Sequence, residues 1–318
     1  MTVRLAGSAL RAGARGALML AVAGAQRFVD VPEVGTVPEG RMVDLPSRGR
    51  TFVVDVPGPT RDAPTIVLLH ALGCTAYLSW APSLGVLSRT HRVIAFDQRW
   101  HGRGIRSRRF RLADCADDVA AVMDELGVRQ AVVAGYSMGG PIAQLFWQRH
   151  PDRVSGLVLC STARNWRGKR REKLFFPMLT LGMHSLSAYA NVRVEQFAQA
   201  LPEMPVIDED PHAWTKAEFR STSVWSYPEV IAELGRFNSA SWIGGVDVPT
   251  AVVVTERDHT IPVSRQRKLA EAITGARVYS APGGHASVFL DAKRWVPIFA
   301  EAVTDVTAAT GGYDEVAV

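Results

Sequence analysis

Short apolar runs recur along the chain, most of them closed by a turn bearing glycine or proline. Residues 65–69, 91–97, 131–134, 154–160, 248–255 and 276–279 are short and mostly rich in valine, isoleucine and leucine, which predicts buried strands. Between several of them the apolar residues fall three and four apart. Leu112, Cys115, Val119, Val122, Met123 and Leu126 keep helical spacing, and Gly127 is a good terminator. Ile142, Leu145 and Phe146 mark one face of another helix, opened by Gly139, Gly140 and Pro141. Further helical stretches run through Trp80 and Leu87 and over residues 291–303. Nearer the start, residues 40–45 and 49–56 read as two strands around Pro46-Ser47-Arg48-Gly49, a hairpin signal.

Strands alternating with helices imply right-handed crossovers and a mostly parallel sheet covered on both faces, an α/β fold. The rhythm breaks at Arg164 and resumes in the strand at residues 248–255. The stretch between holds aromatic-rich helical patches and turns such as Leu201-Pro202-Glu203-Met204-Pro205. Four parts follow: an N-terminal extension (1–39), a core (40–163 and 241–307), a helical cap (164–240) and a flexible tail (308–318). Such an insertion is expected over the carboxyl ends of the strands, where open α/β sheets bind ligands.

Candidate chemistry sits at those strand ends. Gly135-Tyr136-Ser137-Met138-Gly139 is a G-x-S-x-G elbow between a strand and a helix, a turn that lifts a serine hydroxyl clear of the sheet. A serine hydroxyl is a weak nucleophile at neutral pH and needs a base, and the base needs an orienting acid. Asp258 follows one strand and His285 follows the last, within Pro282-Gly283-Gly284-His285-Ala286. Glu256 and His259 are the competing acid and base, and His70 and His101 are read as loop braces.

With His70-Ala71-Leu72-Gly73 and Asp97-Gln98-Arg99-Trp100-His101-Gly102-Arg103-Gly104 added, the chain resembles α/β-hydrolase-fold serine hydrolases, esterase- or lipase-like with a cap insertion, over residues 40–305. The resemblance implies a catalytic triad of Ser137 (nucleophile), His285 (base, then acid) and Asp258 (orienting partner), in the chain order of that fold. It also implies an oxyanion hole formed by the backbone N–H groups of Leu72 and Met138. Two departures stand out: Ala71 and Trp100 occupy places where the family commonly has glycine. The implied activity is hydrolysis of a carboxylic ester, hydrophobic or medium-chain, through an acyl-enzyme, with neither cofactor nor metal. Same-fold alternatives are a carbon–carbon bond hydrolase and a cofactor-free perhydrolase or haloperoxidase; another class is a non-catalytic binding protein on the same scaffold. The family's dehalogenases and epoxide hydrolases carry a carboxylate at the elbow, against which Ser137 argues.

Composition changes this picture little. In 318 residues, 36 Lys+Arg against 31 Asp+Glu leave a formal charge of +5, and the basic residues form no recognisable nucleic-acid module, so no nucleic-acid partner is expected. Cys74, Cys115 and Cys160 are too far apart for a disulfide framework or a zinc spacing. Arg4, Arg11, Arg15 and Arg27 flank the apolar residues 16–25, a signal-like outline with a core far short of a membrane span. The chain is read as cytoplasmic, with membrane association or export through this segment as the alternative. Peripheral membrane contact through the N-terminal segment or the cap stays open, as does the oligomeric state. A basic run at 164–173 abuts the apolar run 174–181, read as a solvated cap edge entering a buried cap helix. The arginines at 103, 106, 108, 109 and 111 read as a solvated face.

Overall fold

In the computed structural model, residues 37–166, 214, 217–218, 221–223 and 226–310 are described. The signal-like stretch 16–25, the apolar run 174–181, the basic run beyond Trp166 and residues 311–318 lie outside them. Within Val34–Val318 the elements follow in order. β1 (Gly40–Leu45) and β2 (Gly49–Val56) form the hairpin, then come β3 (Thr65–Leu69), α1 (Ala76–Leu87), β4 (Arg92–Phe96) and α2 (Leu112–Glu125). Next are β5 (Ala131–Tyr136), α3 (Gly139–Arg149) and β6 (Val154–Cys160). After the insertion come α4 (Tyr227–Arg236), β7 (Thr250–Thr255), α5 (Val263–Ala270), β8 (Arg277–Ala281), α6 (Ser287–Leu290) and α7 (Ala292–Thr310).

The strands form one sheet in the order β1-β2-β4-β3-β5-β6-β7-β8. β1 with β2, and β2 with β4, are antiparallel, and every later pairing is parallel. Every residue of β5 and of β7 is buried, because helices cover both faces there and no position can face water. Ala131 and Val133 point to the face packed by α2, α3 and α5. Alternation sends Tyr136 to the other face, against Trp80 of α1 and Trp295 of α7. β8 is the edge strand, and Arg277, Val278 and Ser280 are exposed there.

Three local differences separate this fold from the expectation. α7 runs to Thr310, past residue 303 and three residues into the stretch assigned to the tail. Its apolar face continues through the buried Val306, and Thr307 Oγ1 meets His91 Nε2 at 2.9 Å. α5 was not expected at all: only Gln266, Leu269 and Ala270 are buried, a face too narrow to register as a period. His259 therefore precedes a helix, and not directly a strand. Val37 and Pro38, assigned to the extension, lie against the core, where Val37 is buried and Tyr77 donates to the Pro38 carbonyl at 2.7 Å.

Candidate active site

The turn after β5 leaves no room for side chains on either side of Ser137. A Cβ at Gly135 would stand 2.3 Å from the Gly139 carbonyl oxygen, and one at Gly139 would stand 2.2 Å from that of Leu69. Both approaches are far inside van der Waals contact, so glycine is required at each. Between them Ser137 takes φ 52, a left-handed conformation that costs a serine energy and is retained where the surroundings enforce it. Here the Ser137 N–H donates to the Cys160 carbonyl at 2.9 Å, and its own carbonyl accepts from Thr162 Oγ1 at 2.9 Å and Gly140 N at 3.0 Å.

The three residues singled out at separate strand ends meet. His285 Nε2 lies 2.9 Å from Ser137 Oγ, and His285 Nδ1 lies 2.7 Å from Asp258 Oδ2. With Nδ1–H donating to the carboxylate, the Nε2 lone pair faces the serine hydroxyl. Asp258 is buried, and its Oδ1 accepts from the backbone N–H groups of Thr260 and Ile261, each at 2.8 Å. The competitors fall away from this geometry: Glu256 and His259 are exposed to solvent.

Gln266 completes the acid's surroundings and was not singled out from the sequence. Fully buried, it donates from Nε2 to Asp258 Oδ2 at 3.2 Å and to the Ile261 carbonyl at 2.7 Å. Its Oε1 accepts from Thr255 N at 3.0 Å. One amide thus joins the end of β7, the acid and the start of α5. The available signal was a polar residue three and four positions before Leu269 and Ala270, the buried apolar residues of its own helix.

Leu72 lies half-buried in the loop after β3, and Met138 is buried at the start of α3. Among the described residues, no acceptor takes a hydrogen bond from either backbone N–H. The positive end of the α3 dipole faces the same elbow. His70 and His101 behave as braces. His70 Nδ1–H donates to the Ala71 carbonyl at 2.8 Å while Nε2 accepts from Gln98 N at 2.8 Å. Burial pushes the His70 pKa down to about 4 and that of His101 to about 3, so both rings are neutral at pH 7. Trp100, at the family's glycine position, does take φ 67. It is held there by Nε1–H to the Ser107 carbonyl at 2.9 Å and by its N–H to the Ile105 carbonyl at 2.9 Å.

The described residues of the insertion touch this end of the sheet. Glu218, fully buried, accepts from Thr75 Oγ1 and from Arg103 Nη2, the latter at 2.9 Å. Thr222 Oγ1 accepts from Gly102 N at 2.9 Å, and Trp214 packs on Tyr77 at 5.6 Å. The Tyr227 phenol fills the space that a Cβ at Gly73 would need. Arg103, read as part of a solvated face, is therefore largely an internal group, stacked over Phe52 at 3.5 Å.

This sheet order, with an elbow serine and the Asp258 and His285 loops at successive strand ends, agrees with comparison against known proteins. Residues 64–292 match the family described as the alpha/beta hydrolase fold. The chain is an α/β-hydrolase. Over 240 residues it is 28% identical to a Caulobacter protein named as a carbamate hydrolase, RutD, covering 72% of this chain and 86% of that one. A 120-residue stretch is 38% identical to epoxide hydrolase B of Mycobacterium tuberculosis, covering 36% of this chain but only 33% of that protein's length. Among solved structures, the enol-lactonase of Burkholderia xenovorans superposes with a TM-score of 0.63 at 25% identity, over 84% of this chain and all of that one. This α/β-hydrolase is thus an enzyme of the hydrolase class. Among its described residues, no helix is long and apolar enough to cross a membrane.

Proposed function

We propose that this α/β-hydrolase cleaves a carboxylic ester through an acyl-enzyme on Ser137. The reading is carried by the unbroken line from Ser137 Oγ to His285 Nε2 (2.9 Å) and from His285 Nδ1 to Asp258 Oδ2 (2.7 Å). Ser137 Oγ attacks the carbonyl carbon as its proton passes to His285 Nε2, and the carbonyl oxygen takes up negative charge. The N–H groups of Leu72 and Met138 stabilise that oxyanion. His285 then hands its proton to the leaving alcohol, which departs and leaves an ester on Ser137. Water, deprotonated by His285, attacks this ester, and proton return to Ser137 releases the acid. Asp258 keeps Nδ1 protonated and balances the imidazolium throughout.

Lactones and carbamates present the same kind of carbonyl, so the named activities of the RutD and enol-lactonase relatives support this acyl class. The epoxide hydrolase resemblance is not carried over, because Ser137 stands where such enzymes use a carboxylate. A hydrophobic or medium-chain acyl group is the finer reading, supported by the apolar sequence at residues 174–181 and by Tyr227 against the oxyanion loop. Ser137→Ala tests the assignment. It should abolish hydrolysis of an aryl ester with the fold intact by circular dichroism; turnover retained in that variant would move the nucleophile elsewhere.

A further inference from the structure

Tyr136 immediately precedes the elbow serine and is fully buried on the face of the sheet covered by α1 and α7. Trp80 and Trp295 meet its ring edge-on, at 6.2 and 5.4 Å between centroids, and the His285 ring lies at 5.8 Å. A phenol placed this deep needs a hydrogen-bond partner. It finds the backbone of His285: Tyr136 Oη donates to the His285 carbonyl at 2.7 Å. Burial pushes the pKa of this phenol up, so it stays protonated and able to donate. Ser161 is in the left-handed region at φ 47, and its hydroxyl lies 2.5 Å from Thr255 Oγ1. The ends of β6 and β7 are thus tied by Ser161 and Thr255, while Tyr136 at the end of β5 is bonded to the loop that carries His285.

We propose that Tyr136 is a positioning residue, whose hydroxyl holds the His285 backbone at a fixed distance from Ser137. Tyr136 is covalently joined to Ser137, so one hydrogen bond and one peptide unit set the separation between base and nucleophile. The inference rests on the catalytic roles given above to Ser137, His285 and Asp258. Proton transfer depends steeply on that separation, and a displacement of about 1 Å can cost about a hundredfold in rate.

Tyr136→Phe removes the hydroxyl and keeps the ring. Trp295→Phe loosens the packing around that ring and keeps the hydroxyl. Both are compared with wild type for the rate of Ser137 labelling by a fluorophosphonate and for kcat and KM on an aryl ester, below each protein's own Tm. Tyr136→Phe should label about ten- to a hundredfold more slowly, with kcat reduced by a similar factor and KM within about twofold. Trp295→Phe should lower Tm and leave labelling within about threefold of wild type. Should Tyr136→Phe not fold, replacement of Tyr136 by 4-fluorophenylalanine, which fills the hydroxyl's space without donating, takes its place, with slower labelling expected and a wild-type rate overturning the proposal. Wild-type labelling in a folded Tyr136→Phe, or equal losses in it and Trp295→Phe, would also overturn it. Failure of the wild type to label at Ser137 would instead overturn the underlying triad.

Discussion

Asp258 and Glu256 stand two residues apart, yet only Asp258 is shielded from water and bonded to the His285 ring. Asp258→Asn should lower kcat by about two to four orders of magnitude, because an amide nitrogen facing Nδ1 favours the wrong tautomer and supplies no counter-charge. Glu256→Gln should change it by no more than a few-fold, and steady-state kinetics on one soluble ester compares the two. Equal losses would mean that the acid is misassigned. The residues directly in this line were legible because their chemistry fixes their type and chain order. Gln266 and Tyr136 were not. A glutamine on a helix and a tyrosine at a strand end have many partners open to them, and only the folded chain brings Gln266 to Asp258 and Tyr136 to the His285 carbonyl.

The loops after β3 and β4 carry the two buried histidines, stacked edge-on at 5.2 Å. Desolvation depresses both pKa values in the folded state, from an ordinary 6.5 to about 4 at His70 and about 3 at His101. In the unfolded chain both rings protonate near 6.5, so their contribution to stability is present above that pH. It is lost as pH falls from 6.5 toward 4 for His70, and further toward 3 for His101. At His70 alone the loss amounts to about 3 kcal/mol. Urea midpoints measured from pH 7 to 4 should fall more steeply for wild type than for His70→Asn; parallel curves would show that burial does not hold the ring neutral. At this scale the alternation of strand and helix was readable from apolar runs and spacing. α5 escaped because a helix with one narrow buried face leaves little periodicity. The left-handed Trp100 was visible only as a departure from glycine, and its indole bond to Ser107 explains how the fold tolerates it.

For the molecule as a whole, a parallel sheet places successive loops at one end, and this organises the site. Ser137 follows β5, Asp258 follows β7 and His285 follows β8, while Leu72 comes from the loop after β3. The described residues of the insertion meet the core at Gly73, Thr75, Tyr77, Gly102 and Arg103, beside the same loops. A chain so arranged is expected to hold its substrate's acyl group covalently for part of each turnover. Intact-protein mass spectrometry during turnover of a slowly deacylating aryl ester tests that most directly. The account predicts a mass increase equal to the acyl group, mapped to the peptide containing Ser137 and absent from Ser137→Ala. An adduct on another residue, or steady turnover by Ser137→Ala, would contradict it.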